Sequence, residues 1–416
     1  MVLIGLVVIF SYGMGNVSAA SGNSIYVNGT SGNNVYNGQS AAYDGTNGPK
    51  ATIKNATGTV NSNGTIYIAK GTYNESNIQI NTNMTIIGEN QQNTIINGQQ
   101  SGHSIFTIAS GVYLTIINLT LTNGTSNIGG AIANDGDLNV YNSTFTNNKA
   151  TDGGAISNGD DGALTVNNST FDNNTGIYGG ATWNSGDNST LTNNIFTNNN
   201  GDYGGVIYNE HTGTIFVTNN TFTANTASYG GAIFSYGASN DTNNTFTNNS
   251  ATGYGGAISI LSGSSTESND IFTTNTALNG GAMFNHGTLT VSDSNFTSNS
   301  VPSEGWPFGG GAILNFGTLN LTSCIFNNNT ATEYGGGGIY NEGSLIVNNS
   351  SFTNNTATEQ GNGGAILNGD TLIVTESNFT NNTSNGDGGA IYNTGTASVN
   401  FNRIIGNGVP DIYSTG

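Results

Sequence analysis

Side chains able to do chemistry are scarce in this chain, and none stands beside the partner that acid–base work requires. The 416 residues carry 24 acids, three histidines and five cations (Lys50, Lys54, Lys70, Lys149 and Arg403), for a net charge of −19. The adjacent acids of the repeats, Asp160-Asp161, fall in a Gly-rich turn, where Asp is common for conformational reasons. His286 fills a turn position between Asn285 and Gly287. General acid–base catalysis needs a positioned pair with tuned pKa values, so no catalytic residue is assigned. Asp152, Asp187, Asp202 and Asp387 offer oxygens in turns, but without the clustered pattern of a hard-cation site. No metal and no cofactor are expected. Cys324 stands alone, which excludes an internal disulfide and a cysteine-based metal site. Its place before Ile325-Phe326 predicts a buried small residue. Five cations cannot make the basic patch that nucleic acid requires. Acidity of this kind favours a hydrated exterior.

What positions these residues is a repeat. Gly-Gly-Ala-Ile or a close variant recurs with first glycines at 129, 153, 179, 204, 230, 255, 280, 310, 336, 363 and 388. A Phe-Thr-Asn-Asn phrase runs in phase from Phe145 to Phe379. Between them, alternating segments such as Ala163-Leu164-Thr165-Val166 read as short strands separated by Gly, Asn and Asp turns. No stretch of the repeat has helical spacing. Three strands and three turns in about 25 residues predict one rung of a parallel β-helix, an all-β solenoid whose rungs bury their apolar sides on one another. At roughly 4.8 Å per rung, eleven repeats span about 53 Å. The Ile132, Ile156 and Ile207 column should point inward, and Asn134, Asn158 and Asn184 two residues later should form a rung-to-rung amide ladder. The Phe column should stack in the core. The double glycine should supply a backbone conformation or close approach closed to other residues.

Departures from the repeat are where binding is expected. If Ile points in, the next residue points out, and that column holds Trp183, Tyr208, Phe234, Phe284, Tyr340 and Tyr392. Tyr178, Tyr203, Tyr229 and Tyr254 precede the double glycine on four consecutive rungs. Exposed aromatic faces suit sugar rings; the competing reading is same-face stacking that stabilises the strands. An overlong connection, Val301 to Phe308, holds Trp306 between two prolines, and loops on rigid scaffolds often carry function.

The ends set the compartment. Residues 1–19 combine an apolar run with small residues before Ala19 and Ala20, a secretory signal without its charged leader. Residues 20–118 are read as a cap with the first rungs, and 119–416 as the repeat region of the same β-helix. More than twenty Asn-x-Ser/Thr sequons, among them Asn118, Asn142, Asn168 and Asn188, are glycosylation candidates on a secreted chain. Val399 to Asn407 begins one more rung, Asp411-Ile412-Tyr413 follows, and the sequence stops. An open rung exposes strand edges, so a truncated product or end-to-end self-association is expected.

The paired GGAI and FxxN phrases resemble the repeats of chlamydial-type polymorphic outer-membrane proteins and, more closely, the adhesin-like surface proteins of methanogenic archaea. Ser24 to Gln100, with Ser-Ile-Tyr-Val-Asn-Gly-Thr, Gly-Pro-Lys-Ala-Thr-Ile and Met-Thr-Ile-Ile-Gly-Glu-Asn, looks like the entry to a pectin-lyase-like right-handed β-helix. The resemblance implies a secreted or cell-surface adhesin that contacts glycans or other surface proteins without catalysis. Because that fold also hosts lyases and hydrolases, a carbohydrate-active enzyme is the alternative and a passive envelope component the second. Enzymes of this fold set carboxylates beside a basic residue, an arrangement the central repeats do not present.

Overall fold

The computed structural model describes residues 23–416 except 212, 303–308, 333, 401, 409 and 416. Residues 1–19, where a secretory signal is expected, and Trp306 therefore lie outside the described residues. The chain coils as a right-handed, all-parallel β-solenoid of about 13 turns. Three long sheets run its length, with 15, 14 and 14 strands. Each is named here by its inward residues. The Ile face carries Ile132–Asn134 and its successors, the Leu/Val face Asp137–Tyr141, and the Phe face Thr144–Thr146. Strands pair with their counterparts one rung away, so identical residues stack: Ile132 on Ile156, Leu138 on Leu164, Phe145 on Phe171.

The core follows from that register. Phe rings from Phe145 to Phe379 stack at centroid distances of 4.6–5.0 Å, and each is fully buried beside the Ile and Leu/Val columns. The expected amide ladder is present: Asn134 Nδ2 donates to Asn158 Oδ1 at 2.7 Å, and Asn158 to Asn184 at 3.0 Å. It passes through Ser235 and is interrupted by Ile260. A second, unbroken ladder runs behind the Phe column from Asn148 to Asn407. Each of its side chains also binds main-chain groups, so buried polar atoms at the corner are satisfied rung after rung. Cys324 is buried, and its thiol is pushed up to about 11 by burial.

Glycine is required twice at each Gly-Gly. Gly280 has φ +69°, where a Cβ would also lie 2.1 Å from the Met283 carbonyl oxygen; a Cβ on Gly281 would lie 2.0 Å from that of Gly311. The first glycine turns the chain and the second lets neighbouring rungs meet.

Two features go beyond three strands per rung. A fourth sheet of seven short strands, from Thr226–Tyr229 to Thr383–Ser384, closes the corner between the Phe and Ile faces. Near the start, a one-turn helix (Ile53–Thr57) packs Ile53 and Ala56 into the core against the first strands. Its N-terminal amides at Ile53 and Lys54 are held by the two carboxylate oxygens of Glu75, each at 2.8 Å.

Candidate binding surface and a buried acid cluster

The aromatic column lies outside the coil, as alternation requires, and in register: Trp183 beside Tyr208, Tyr208 beside Phe234, Leu367 beside Tyr392. It is not open. Tyr208, Phe234, Phe284 and Tyr340 are 6, 2, 5 and 9% exposed, which corrects the expectation that their ring faces are free. Over Tyr208, Phe234 and Phe284 the cover is the second tyrosine column. Because the first glycine of each pair turns the chain, Tyr178, Tyr203, Tyr229 and Tyr254 fold back over the Ile face. They stack on one another at 5.4, 5.2 and 5.8 Å. Their edges meet the first column: Tyr178 on Tyr208 at 5.1 Å, Tyr203 on Phe234 at 5.3 Å, Tyr254 against Phe284 at 4.6 Å. Tyr236 closes the opposite side of Phe234 at 5.2 Å, with His211 4.3 Å beyond it. Further along, Phe284, Leu314, Tyr340 and Leu367 form an apolar cluster of their own, flanked by Tyr254, Leu261 and Tyr392. Edge-to-face pairs of this kind contribute about 0.5–1.5 kcal/mol beyond burial.

The result is a second core, external to the first. Its rim remains half-exposed: Trp183 and Tyr392 from the predicted column, and Tyr178, Tyr203, Tyr229, Tyr236 and Tyr254. Burial, then the charge of Glu210, raises the Tyr208 hydroxyl above the usual phenol range, so it stays protonated and bound to that carboxylate. Phe234→Ala should therefore cost about 3–5 kcal/mol, as for a core aromatic. Urea midpoints check this; a loss under ~1 kcal/mol would mean the ring packs only loosely on the rod.

Of the other candidates, Asp160 and Asp161 sit exposed in their turn, bound by Ser185 and Ser110 hydroxyls. A groove of about 480 Å³ by the N-terminal helix is lined by Asn34, Thr52, Lys54, Asn55, Asn74, Glu75 and Ser76; its carboxylate is already engaged by the helix amides.

One cluster has no counterpart among the residues singled out from the sequence. On the Leu/Val face, Ser239 and Asp241 stand where the previous rung has Ile215 and Val217, and Ser265 and Glu267 stand where the next has Leu289 and Val291. Asp241 and Glu267 are therefore aimed into the core, 1 and 0% exposed, with Asp270 beside them at 0%. Ser239 donates to Asp241 at 2.7 Å, and the amides of Asn244 and Ser268 donate to Asp270 at 2.6 and 2.9 Å. Asp241 Oδ2, both Glu267 carboxyl oxygens and Ser265 Oγ have no partner. Burial raises all three acids, helped for Asp241 and Glu267 by the neighbouring carboxyls, and brings Asp270 to about 7. These shifts favour the protonated forms of Asp241 and Glu267 at neutral pH. The legible signal was the Leu-x-Val template broken on two adjacent rungs, Ser-Asn-Asp then Ser-Thr-Glu.

No curated protein matches the chain in sequence. Among solved structures, an alginate lyase complexed with trisaccharide is 14% identical with TM-score 0.45, covering 80% of this chain and 82% of its own. The lacto-N-biosidase from Eubacterium ramulus is 9% identical with TM-score 0.38, covering 94 and 68%. The mannuronan C-5 epimerase A-module from Azotobacter vinelandii is 13% identical with TM-score 0.30, covering 85 and 91%. Such likenesses concern the coil alone. No helix among the described residues is long and apolar enough to cross a membrane. Five stretches of the chain, 142–159, 245–260, 323–342, 349–369 and 376–394, match the Chlamydia polymorphic membrane protein repeat.

Proposed function

We propose that this protein is a non-catalytic, adhesin-like contact protein of the cell surface. The observation that carries the reading is the polymorphic membrane protein repeat in five stretches, a unit suggestive of surface proteins. The rod supports it with a rigid backbone and an aromatic rim in which Tyr208, Phe234, Phe284 and Tyr340 brace the half-exposed Trp183, Tyr178, Tyr203 and Tyr229. Glycans or surface proteins are the partners such a rim suits, since amphipathic rings held at low entropy make adaptable contacts. The reading as a lyase or hydrolase of the same coil is less favoured. The acid triad is sealed from any polymer, and Asp160-Asp161 lies in an exposed turn with one oxygen of each engaged by a serine hydroxyl.

A glycan array probed with the purified chain tests the proposal. Binding is expected, reduced at least tenfold in a Trp183→Ala, Tyr203→Ala variant that keeps its circular dichroism. Binding unchanged in that variant would move the contact elsewhere on the rod. Absence of binding to glycans and to intact cells alike would leave a passive envelope component.

A further inference from the structure

The aromatic layer over the Ile face ends on the rung of Trp183, and an acid stands at that end. The covering column runs Asp152, Tyr178, Tyr203, Tyr229 in register, one residue per rung. Tyr178 stacks on Tyr203 to one side; to the other side the column continues with Asp152. Beneath it the outward column runs Tyr208, Trp183, Ser157, Ala133, so Trp183 is the last ring. Ser157 is buried and carries the layer no further. Trp183 is half-exposed, and no ring among the described residues stacks on it.

Asp152 is half-buried, yet among the described residues its carboxylate accepts no hydrogen bond and meets no cation. Burial, then the charge of Glu210, holds it above the usual carboxylate range. Glu210 is in turn bound to the Tyr208 hydroxyl, two rungs along. Lys149, three residues before Asp152, is exposed at the corner, where its backbone pairs with Thr125 and Thr175. Its charge does not lower Asp152. Two carboxylates that feel one another thus stand by the end of the aromatic layer, and neither has a cation to offset it. Half-buried charge of one sign is costly to leave unpaired.

We propose that this step at Asp152, Tyr178 and Trp183 is a subsite for an aminosugar, a pyranose that carries a protonated amine. The inference rests on the surface-contact reading and narrows its partner. An ammonium supplies the charge that Asp152 and Glu210 lack, and it is attracted to the faces of Tyr and Trp rings. The C–H face of the same sugar ring packs on the indole of Trp183. With 24 acids against five cations, the field of the whole chain draws a cationic glycan and repels an acidic one. A flexible lysine arm would answer the acids but brings no flat face to Trp183.

Calorimetric titration of the full chain at pH 6 compares the glucosamine tetrasaccharide with its N-acetylated counterpart, which has the same rings without the charge. The amine form should bind at least about tenfold more tightly. Asp152→Asn should bring that ratio close to one, and Trp183→Ala should weaken both sugars. Asp293→Asn with Glu376→Gln, which removes two exposed charges farther along the rod, should leave the ratio unchanged. Equal affinity for the two sugars overturns the proposal. So does a ratio that falls equally in both acid variants, since the attraction would then belong to the acidic surface as a whole. Pentalysine bound as tightly as the amine sugar, with the same dependence on Asp152, overturns the assignment to a sugar. If the two sugars bind equally and both are weakened in Trp183→Ala, Tyr203→Ala, this inference fails alone. If neither binds and the glycan array is also empty, the surface-contact reading fails with it.

Discussion

Replacing Asp241 and Glu267 together by valine should stabilise the middle of the rod at pH 8 by several kcal/mol and remove their share of its pH dependence, leaving that of the buried Asp270. The two side chains stand in columns otherwise filled by Val217 and Val291, so valine restores the template while removing two buried acids. The sign follows from the shifts. All three folded-state pKa values lie above the ordinary carboxylate range, Asp270 at about 7 and the other two well raised. The folded chain therefore holds protons that the unfolded chain releases. Stability is fully present below about pH 4 and declines as pH rises through 7 and beyond. For Asp270 a rise from 3.8 to about 7 amounts to on the order of 4 kcal/mol, at roughly 1.4 kcal/mol per unit. Replacing buried charged groups by well-packed apolar ones commonly stabilises by about 1–4 kcal/mol. The measurement is hydrogen exchange of rungs 238–270 and the thermal midpoint at pH 5 and pH 8. Wild type should weaken more steeply toward pH 8 than the variant, which keeps only the Asp270 contribution. Equal slopes in the two proteins would show that the triad does not govern the pH response.

The second large effect is expected at the corner ladder. Asn275 Nδ2 donates to Asn299 Oδ1 and to the Phe246 carbonyl, both at 3.0 Å, and its Oδ1 accepts from the Asn249 amide at 3.0 Å and side chain at 3.1 Å. Asn275→Ala strands a buried carbonyl and a buried amide and cuts the ladder between two neighbours. At about 1–3 kcal/mol for each orphaned group, the loss should reach roughly 4 kcal/mol. Thr290→Ala, on an exposed position, should stay within ~0.5 kcal/mol. Since each rung contacts only its neighbours, the damage should appear as new proteolytic cleavage near residues 250–300 before the ends of the rod open. A variant as resistant as Thr290→Ala would show that the stacked amides contribute nothing beyond the strands.

Much of the scaffold was legible because period and alternation fix both register and side. Ile156, Val166 and Phe171 had to point inward once the repeat was aligned, and Asn158 had to stack on Asn134. Alternation stops there. It says on which side of a sheet a ring lies, not what lies over it, so Tyr208 and Phe234 fall outside the coil as expected, while their cover by Tyr178, Tyr203 and Tyr229 has no trace in the pattern. That cover depends on the left-handed turn at the first glycine, which recurs in the sequence but does not by itself say where the preceding ring falls. The acids at 241, 267 and 270 are hidden for a different reason. Catalytic carboxylates are sought in a sequence as exposed neighbours in turns, whereas these occupy inward strand positions where burial, not proximity in sequence, makes them unusual. Trp306 stays an expectation of the sequence alone.

The repeat thus builds a scaffold, and contact is assigned to its rim. The most direct measurement incubates the purified chain with a panel of neutral and acidic polysaccharides and follows bound protein and newly formed chain ends in the same samples. The account predicts retention on a glycan or cell surface, weakened by Trp183→Ala with Tyr203→Ala, and no new chain ends. Turnover that disappears on changing Asp160 or Asp161 would contradict it.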